Sequence, residues 1–448
     1  MTLFSLYIVA VAFFNYLLVP GVAISRPPWI LGLLLVGRAL FQSLREGYLP
    51  RPGPFGLALM FFGVTTIANG VLVLVTDAAR VADYLRTEFQ FLLVLGIVFA
   101  FVRARLDEHG VARLLKVWVW TAGAAAAFGI YQSFARVLGL PLPELPVVIK
   151  GSTGIVAKEF FGFFAASSWF REPSWLGSFL LVPLLYVLGV ILLDAPHPFR
   201  FPKRWGAALA ALLALALFLS LSQAAYVSML VVAVPLVWSL RDRLRVGRVL
   251  RIAGAAAVLM AAIMIPLSRR GADIVQAQWS RFTAIANAWG RPHEVWGITS
   301  YGIRMADMRG GITMWQSSPV LGVGINTVRY HRQAALLSDP ESGSVDSGLL
   351  QVLVEQGVVG FGAFVLALLV LWERLARAYT RERDAGRLFL LWFLMWGLVT
   401  DVVNSVVTHP WQHPQRWLVI GLAASFLAFL ERERDEQLST AASGTPRT

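Results

Sequence analysis

Cysteine is absent from this chain. That excludes disulfide-stapled loops, a thiolate nucleophile and thiolate metal sites. Histidine is scarce, at six residues, and none of the six falls in an H-E-x-x-H or similar spacing, so no zinc site is expected. No cluster of carboxylates offers itself to Mg²⁺ either. Charge is thin: Asp, Glu, Lys and Arg make up 15% of 448 residues, where a soluble domain carries ~25%. Acidic side chains are outnumbered 26 to 39, leaving a net charge of +13. A surplus of that size suits nucleic acid in general. Here the basic residues fall in clusters between apolar runs, as in the positive-inside pattern of membrane proteins, and no nucleic-acid partner is expected.

What the chain has is apolar length. Hydrophobic residues make up 57% of it and the mean hydropathy is +0.66. A membrane helix needs ~20 mostly apolar residues. Windows of that kind lie near 3–23, 28–44, 54–75, 87–102, 113–134, 174–193, 205–221, 224–240, 251–268, 349–372, 387–406 and 416–430. The expected fold class is an all-α integral membrane protein of about 12 transmembrane helices, with a large ordered periplasmic loop between the ninth and tenth spans. The first window follows no basic n-region and no small-residue cleavage site, so it reads as a retained helix.

Arginine placement sets the expected orientation. Arg45 and Arg51, Arg103 to Lys116, Arg200 to Arg204, Arg241 to Arg251 and Arg374 to Arg387 all fall on one side if the windows are right, and that side reads as cytoplasmic. Residues 1–268 then hold spans one to nine, with a periplasmic loop near 136–173. Residues 269–348 form the large periplasmic loop, 349–430 the last three spans, and 431–448 a cytoplasmic tail expected to lack order past its charged stretch. The insert of roughly eighty residues is anomalous, since loops beyond ~15 residues usually carry function or are disordered. Its spaced aromatics and Gly-rich end argue for order.

Four segments carry candidate chemistry. Arg171-Glu172-Pro173-Ser174-Trp175 stands at the outer mouth of the sixth span. Pro173 suits a first helical turn, and Glu172 either caps its free N–H groups or takes part in chemistry. Arg171 is disfavoured beside a helix N-terminus unless an anion lies between. In the large loop, Arg304 and Arg309 flank Asp307 ahead of Trp315, and a guanidinium fork suits phosphate. Pro319 to Asn326 includes Gly322 and Gly324, which let the backbone turn and approach a ligand or helix closely. Last, Asp346-Ser347-Gly348 leads into Glu355-Gln356-Gly357-Val358-Val359-Gly360. Asp346 or Ser347 would cap the tenth span, or Asp346 would accept a proton from a hydroxyl. Glu355 lies at a depth where ionisable groups face a cavity or a partner. His409 and His413 sit in a short outer loop with Trp411 and Gln412.

In this order and spacing, the segments resemble the O-antigen ligase/polymerase superfamily, with its Wzy-type polysaccharide polymerases and WaaL-type ligases. The resemblance rests on Arg171-Glu172-Pro173-Ser174, Ser222-Gln223 in an outer hairpin, the large loop with Arg304, Pro319 to Gly324, and Asp346 to Gly360. It is strongest from about 165 to 372. The chain departs from the ligase pattern twice: Gln223 stands where ligases show Arg, and Asp346 stands where they show His.

The resemblance implies a metal-independent membrane glycosyltransferase, without cofactor, in the bacterial inner membrane. Its substrate would be an undecaprenyl-diphosphate-linked oligosaccharide, met in membrane lipid at the periplasmic face, and a chain-length regulator would be a further partner. Arg171, Arg304 and Arg329 are then expected to hold the diphosphate, and Asp346 to act as base, with Glu172 as its rival. Gln223, Arg309 and His409 are secondary substrate contacts. Asp346 in place of His points to a polymerase of O-antigen, capsule or exopolysaccharide repeat units. The alternatives are a ligase to lipid A–core and, from another class, a lipid-linked sugar flippase or transporter. The spans read as mostly clean, apart from Arg38, Glu355 and Asp401, whereas transporters favour interrupted helices.

Overall fold

The computed structural model describes residues 1–12, 27–47, 53–76, 81–142, 148–149, 152–153, 159–160, 163–170, 173–240, 247, 254, 283, 300–325, 327–328, 345, 347–407 and 414–443. Within them run the helices α1 (Thr2–Ala12), α2 (Pro27–Arg45), α3 (Pro54–Thr76), α4 (Val81–Ala104), α5 (Glu108–Leu138), α6 (Pro173–Leu192), α7 (Lys203–Leu219) and α8 (Gln223–Leu240). After them come α9 (Ser300–Ser317), α10 (Gly348–Arg381), α11 (Ala385–Val407) and α12 (Pro414–Ser443). The strands among the described residues are two short hairpins between α5 and α6, β1 (Val148–Ile149) with β2 (Ser152–Thr153) and β3 (Glu159–Phe160) with β4 (Phe163–Phe164).

Among the described residues, seven helices are long and apolar enough to cross a membrane: α2, α3, α4, α5, α6, α10 and α11. Shorter apolar helices are α1, most of α7 and part of α8. The chain is a multi-pass membrane protein. The apolar first half of α12 is buried in the core, where Trp417 meets Phe364 at 6.2 Å. The ninth expected span, 251–268, lies outside the described residues apart from Gly254.

Among the described residues, the arginines that pair across helices gather at one end of the bundle. Arg103 at the close of α4 pairs with Glu46 after α2. Arg374 of α10 pairs with Glu431 of α12. Arg387, opening α11, reaches Glu108 of α5 at 2.9 Å and Glu433 of α12 at 2.6 Å. These pairs set the hand-off from helix to helix, up and down, that the arginine spacing anticipates. They also correct one expectation. The tail expected to lose order past its charged stretch continues α12 as helix to Ser443. Its acidic residues have partners on α10 and α11, and Arg432 pairs with Glu436 one turn on.

The tenth span, already marked as an exception by Glu355, is also interrupted: α10 breaks at Gly357, with φ 63° and ψ −169°.

Candidate functional site

The interruption in α10 is one half of a joint. Its other half is the turn after α9. The Gly357 backbone frees the Val354 and Glu355 carbonyls and the Val358 and Val359 amides, since each loses its helical partner across the break. The segment 319–324 pairs with all four. Val323 N donates to Val354 O at 2.9 Å and Gly324 N to Glu355 O at 3.0 Å. In return Val358 N donates to Pro319 O at 2.9 Å and Val359 N to Val320 O at 3.2 Å. Irregular backbone at membrane depth survives only where protein satisfies it in this way.

Both glycines at the contact are required by geometry. Gly322 has φ +76°, and a Cβ there would stand 2.5 Å from the Glu355 carbonyl group and the Gln356 nitrogen. Gly357 has φ +63°, and a Cβ there would run into the Val320 carbonyl. The P-x-x-G-x-G and E-x-G strings are therefore two faces of one backbone contact, and Gly322 approaches a helix.

Side chains close the joint from α3. Thr66 Oγ1 donates to Gln356 Oε1 at 2.8 Å, and Asn69 Nδ2 donates to the Leu321 carbonyl. Glu355 is fully buried and accepts from Gln351 Nε2 at 2.8 Å. On the other side, Met314, Val328, Val345 and Val354 make a small core of their own, with Trp315, Val323 and Leu350 packed on it. Gly311 of α9 fits against Leu350, its notional Cβ 3.1 Å from a leucine methyl. Helix α9 is thus held on the head of α10. Ser347 caps that head, its side chain accepting from Leu350 N at 3.3 Å. Of the two cap candidates, Ser347 fills the position.

A second contact forms where α6, α8 and α11 meet. Ser222 accepts from Ala225 N at 3.3 Å and starts α8. The Ser220–Gln223 turn packs on Gly177, one turn into α6, where a Cβ would stand 2.9 Å from that of Ser222. The segment Arg171-Glu172 precedes this same turn of α6. Asn404 of α11 is buried between the two helices. Its Oδ1 lies 3.3 Å from Ser178 Oγ and 3.4 Å from Ser228 Oγ.

Of the expected site residues, Arg304 lies in the first turns of α9 and Gln223 opens α8; the backbone of each is described and the side chain is not. Arg309 is exposed on α9. Asp307 of the same helix is 2% exposed. Arg171, Glu172, Arg329, Asp346 and His409 lie outside the described residues.

One charged residue escaped the sequence reading. Arg416, the third residue of α12, is 4% exposed. Its Nε donates to Asp401 Oδ2 of α11 at 3.0 Å. The pair lies three residues along α11 from Asn404, on the side of α10 and α12. Its signal was an arginine opening an otherwise apolar window; it was hidden because the window was drawn to begin at that residue.

Residues 208–365 match the family model described as O-antigen ligase. That match supports a likeness to the O-antigen ligase/polymerase superfamily over this stretch. The matched stretch runs from α7 through the α7–α8 hairpin and α9 to the first half of α10, so it contains the whole backbone joint. No curated protein matches the sequence.

Proposed function

We propose that the protein polymerises lipid-linked oligosaccharide repeat units of O-antigen, capsule or exopolysaccharide at the periplasmic face of the bacterial inner membrane. The donor is a growing chain on undecaprenyl diphosphate, and the acceptor is a sugar hydroxyl of the next lipid-linked unit. The hydroxyl oxygen bonds to the anomeric carbon, and the bond from that carbon to the diphosphate oxygen breaks. Its electron pair leaves with undecaprenyl diphosphate. The hydroxyl proton passes to Asp346, or to Glu172 as its rival, and from there to solvent. Arg171, Arg304 and Arg329 balance the charge that grows on the leaving diphosphate. Gln223, Arg309 and His409 contact the sugars. No metal or cofactor is assigned a part, and a chain-length regulator is a natural partner.

The observation that carries this reading is the joint between 319–324 and Gly357. It fixes α9, the helix that bears Arg304, along the first turns of α10, whose cap Ser347 follows Asp346 in sequence. A charge clamp and a base held in fixed relation are what a group transfer needs, because fixed geometry removes the entropic cost of bringing them together. The basic clusters at the opposite end of the bundle support the periplasmic placement. A transporter is less well supported. Its interrupted helices leave backbone carbonyls for ions, whereas here both carbonyls freed at the break are taken by the loop.

The second reading is a ligase that joins the same donor to lipid A–core. The family model's description favours it; Asp346 and Gln223, standing where ligases show His and Arg, oppose it. Deleting the gene and separating surface glycans on a gel decides. Single-repeat products support a polymerase, long polymer left on its lipid carrier supports the ligase, and an unchanged pattern discards both.

A further inference from the structure

Arg38 interrupts the second span, and the chemistry proposed above gives it no part. Helix α2 packs on α4 along one face. A Cβ on Gly32 would stand 2.6 Å from Ile97, a Cβ on Gly96 would stand 2.8 Å from Val36, and Ser43 Oγ accepts from Arg103 Nε at 3.3 Å. The helical repeat puts Leu34, Arg38, Phe41 and Arg45 on the opposite face, with Gln42 beside them. All five are exposed, Phe41 at 67%. That face is turned to lipid, and two guanidiniums stand on it.

A guanidinium on a lipid-facing stripe is costly unless its charge reaches water or an anion. Arg45 closes α2 at the level where Glu46 pairs with Arg103, so it stands at the edge of the apolar layer. Arg38 lies seven residues further in, ~10 Å along the axis. Its Cα–Cβ bond tilts toward the helix N-terminus, away from that edge. Reaching water means bending back along the stripe, whereas an anion drawn in beside Gln42 and Arg45 meets the guanidinium part-way. Neither arginine has an ion pair among the described residues, and the neighbouring carboxylate of Glu46 is engaged by Arg103. Two guanidiniums and an amide at i, i+4 and i+7 on one stripe fit a phosphate with a net negative charge. A phosphate at the rim of a hydrocarbon layer belongs to a phospholipid headgroup, whose acyl chains have Leu34 and Phe41 to lie on.

We propose that the Leu34–Arg45 face of α2 binds an anionic phospholipid of the leaflet at the basic end, its phosphodiester held by Arg38 and Arg45 with Gln42 donating between them. A zwitterionic lipid fits less well, since its own ammonium already neutralises the phosphate. The site is independent of the glycan chemistry proposed above and lies on a helix that takes no part in the joint.

The test uses the full chain in phosphatidylcholine nanodiscs with rising fractions of phosphatidylglycerol, read by thermal unfolding and by native mass spectrometry of retained lipid. Arg38→Gln, Arg45→Gln and the double variant are compared with the wild type. Arg377→Gln is the control, because Arg377 is exposed at the same end but already paired with Glu373 on its own helix. Each single α2 variant is expected to bind phosphatidylglycerol about five-fold more weakly and the double variant about thirty-fold, the scale of surface arginines against an anionic membrane. The wild-type midpoint should rise with phosphatidylglycerol, as a ligand that binds the folded state stabilises it. The control should follow the wild type, and the double variant should stay level. An equal rise in the double variant and the wild type overturns the proposal, as does phosphatidylcholine retained as tightly as phosphatidylglycerol. Removing charge from a lipid-facing stripe should leave the midpoint in pure phosphatidylcholine unchanged or higher. A photoreactive phosphatidylglycerol on the wild-type chain gives an arm independent of variant folding: label on residues 34–45 supports the site, and label only elsewhere overturns it. Glycerol phosphate displacing the lipid at equal concentration would assign the arginines to a soluble anion and overturn the lipid assignment. A wild-type dimer that the double variant loses would make the face a contact between copies of the chain, which also overturns it.

Discussion

Gly322 and Gly357 meet backbone to backbone: a Cβ on Gly357 would stand 2.5 Å from the Gly322 nitrogen. Thirty-five residues separate them in sequence, and each holds a positive φ that other residues avoid. The contact locks the turn after α9 into a break in α10, and α3 seals it through Thr66 and Asn69.

Gly357→Ala and Gly322→Ala should therefore each destabilise the protein by at least ~1–2 kcal/mol from the left-handed backbone alone, and by more once the carbonyl and amide opposite are pushed away. Gly362→Ala, on the same helix with open space around it, should be neutral or stabilising by up to ~1 kcal/mol. Thermal unfolding in detergent followed by tryptophan fluorescence checks all three. Equal midpoints across the set would mean that the joint does not hold α9 to α10.

Ser347 and Asp346 are adjacent, and their roles should separate. Ser347→Ala removes the α10 cap and should cost ~1 kcal/mol of stability while surface polymer is still made. Asp346→Asn should leave the unfolding midpoint in place and cripple turnover more than donor binding. Full-length polymer from Asp346→Asn would hand the base to Glu172 or another group.

Arg304→Ala and Arg171→Ala should each abolish chain extension with expression intact, read as single-repeat glycans on a gel. Normal polymer from both variants would discard the diphosphate clamp.

Arg387 makes a different kind of contact. It ties α5, α11 and α12 at the basic end through Glu108 and Glu433. Being partly exposed and screened by solvent, the network is worth roughly 1 kcal/mol. Arg387→Gln should lower the midpoint modestly, less so at high salt, and leave polymer length unchanged. A shift that salt does not touch would point to the packing of Arg387 on Phe429 rather than to charge.

Much of this was legible in the sequence because it rests on composition and local pattern. Apolar windows overlap every described helix except α9 and begin within six residues of each start, and Pro173 and Ser347 mark helix starts by chemistry that acts within one turn. The joint was legible only as two separate glycine strings, because the φ of a glycine and the neighbour that demands it are not written beside it. The helical tail was missed for a related reason. Residues 431–443 look like a solvated charge run, and what orders them are Arg374 and Arg387, brought in by the bundle.

By itself, then, the sequence determined that the chain lies in a membrane, which end of the bundle is basic, and which strings resemble the O-antigen ligase/polymerase superfamily, since hydropathy and arginine placement act over one helix length at a time. Only the tertiary structure decided that the glycine strings form a single contact, that Asn404 joins α6 to α8, and that Arg416 pairs with Asp401. Those facts depend on which helices are neighbours, and burial and backbone pairing between distant segments settle that once the whole bundle has packed.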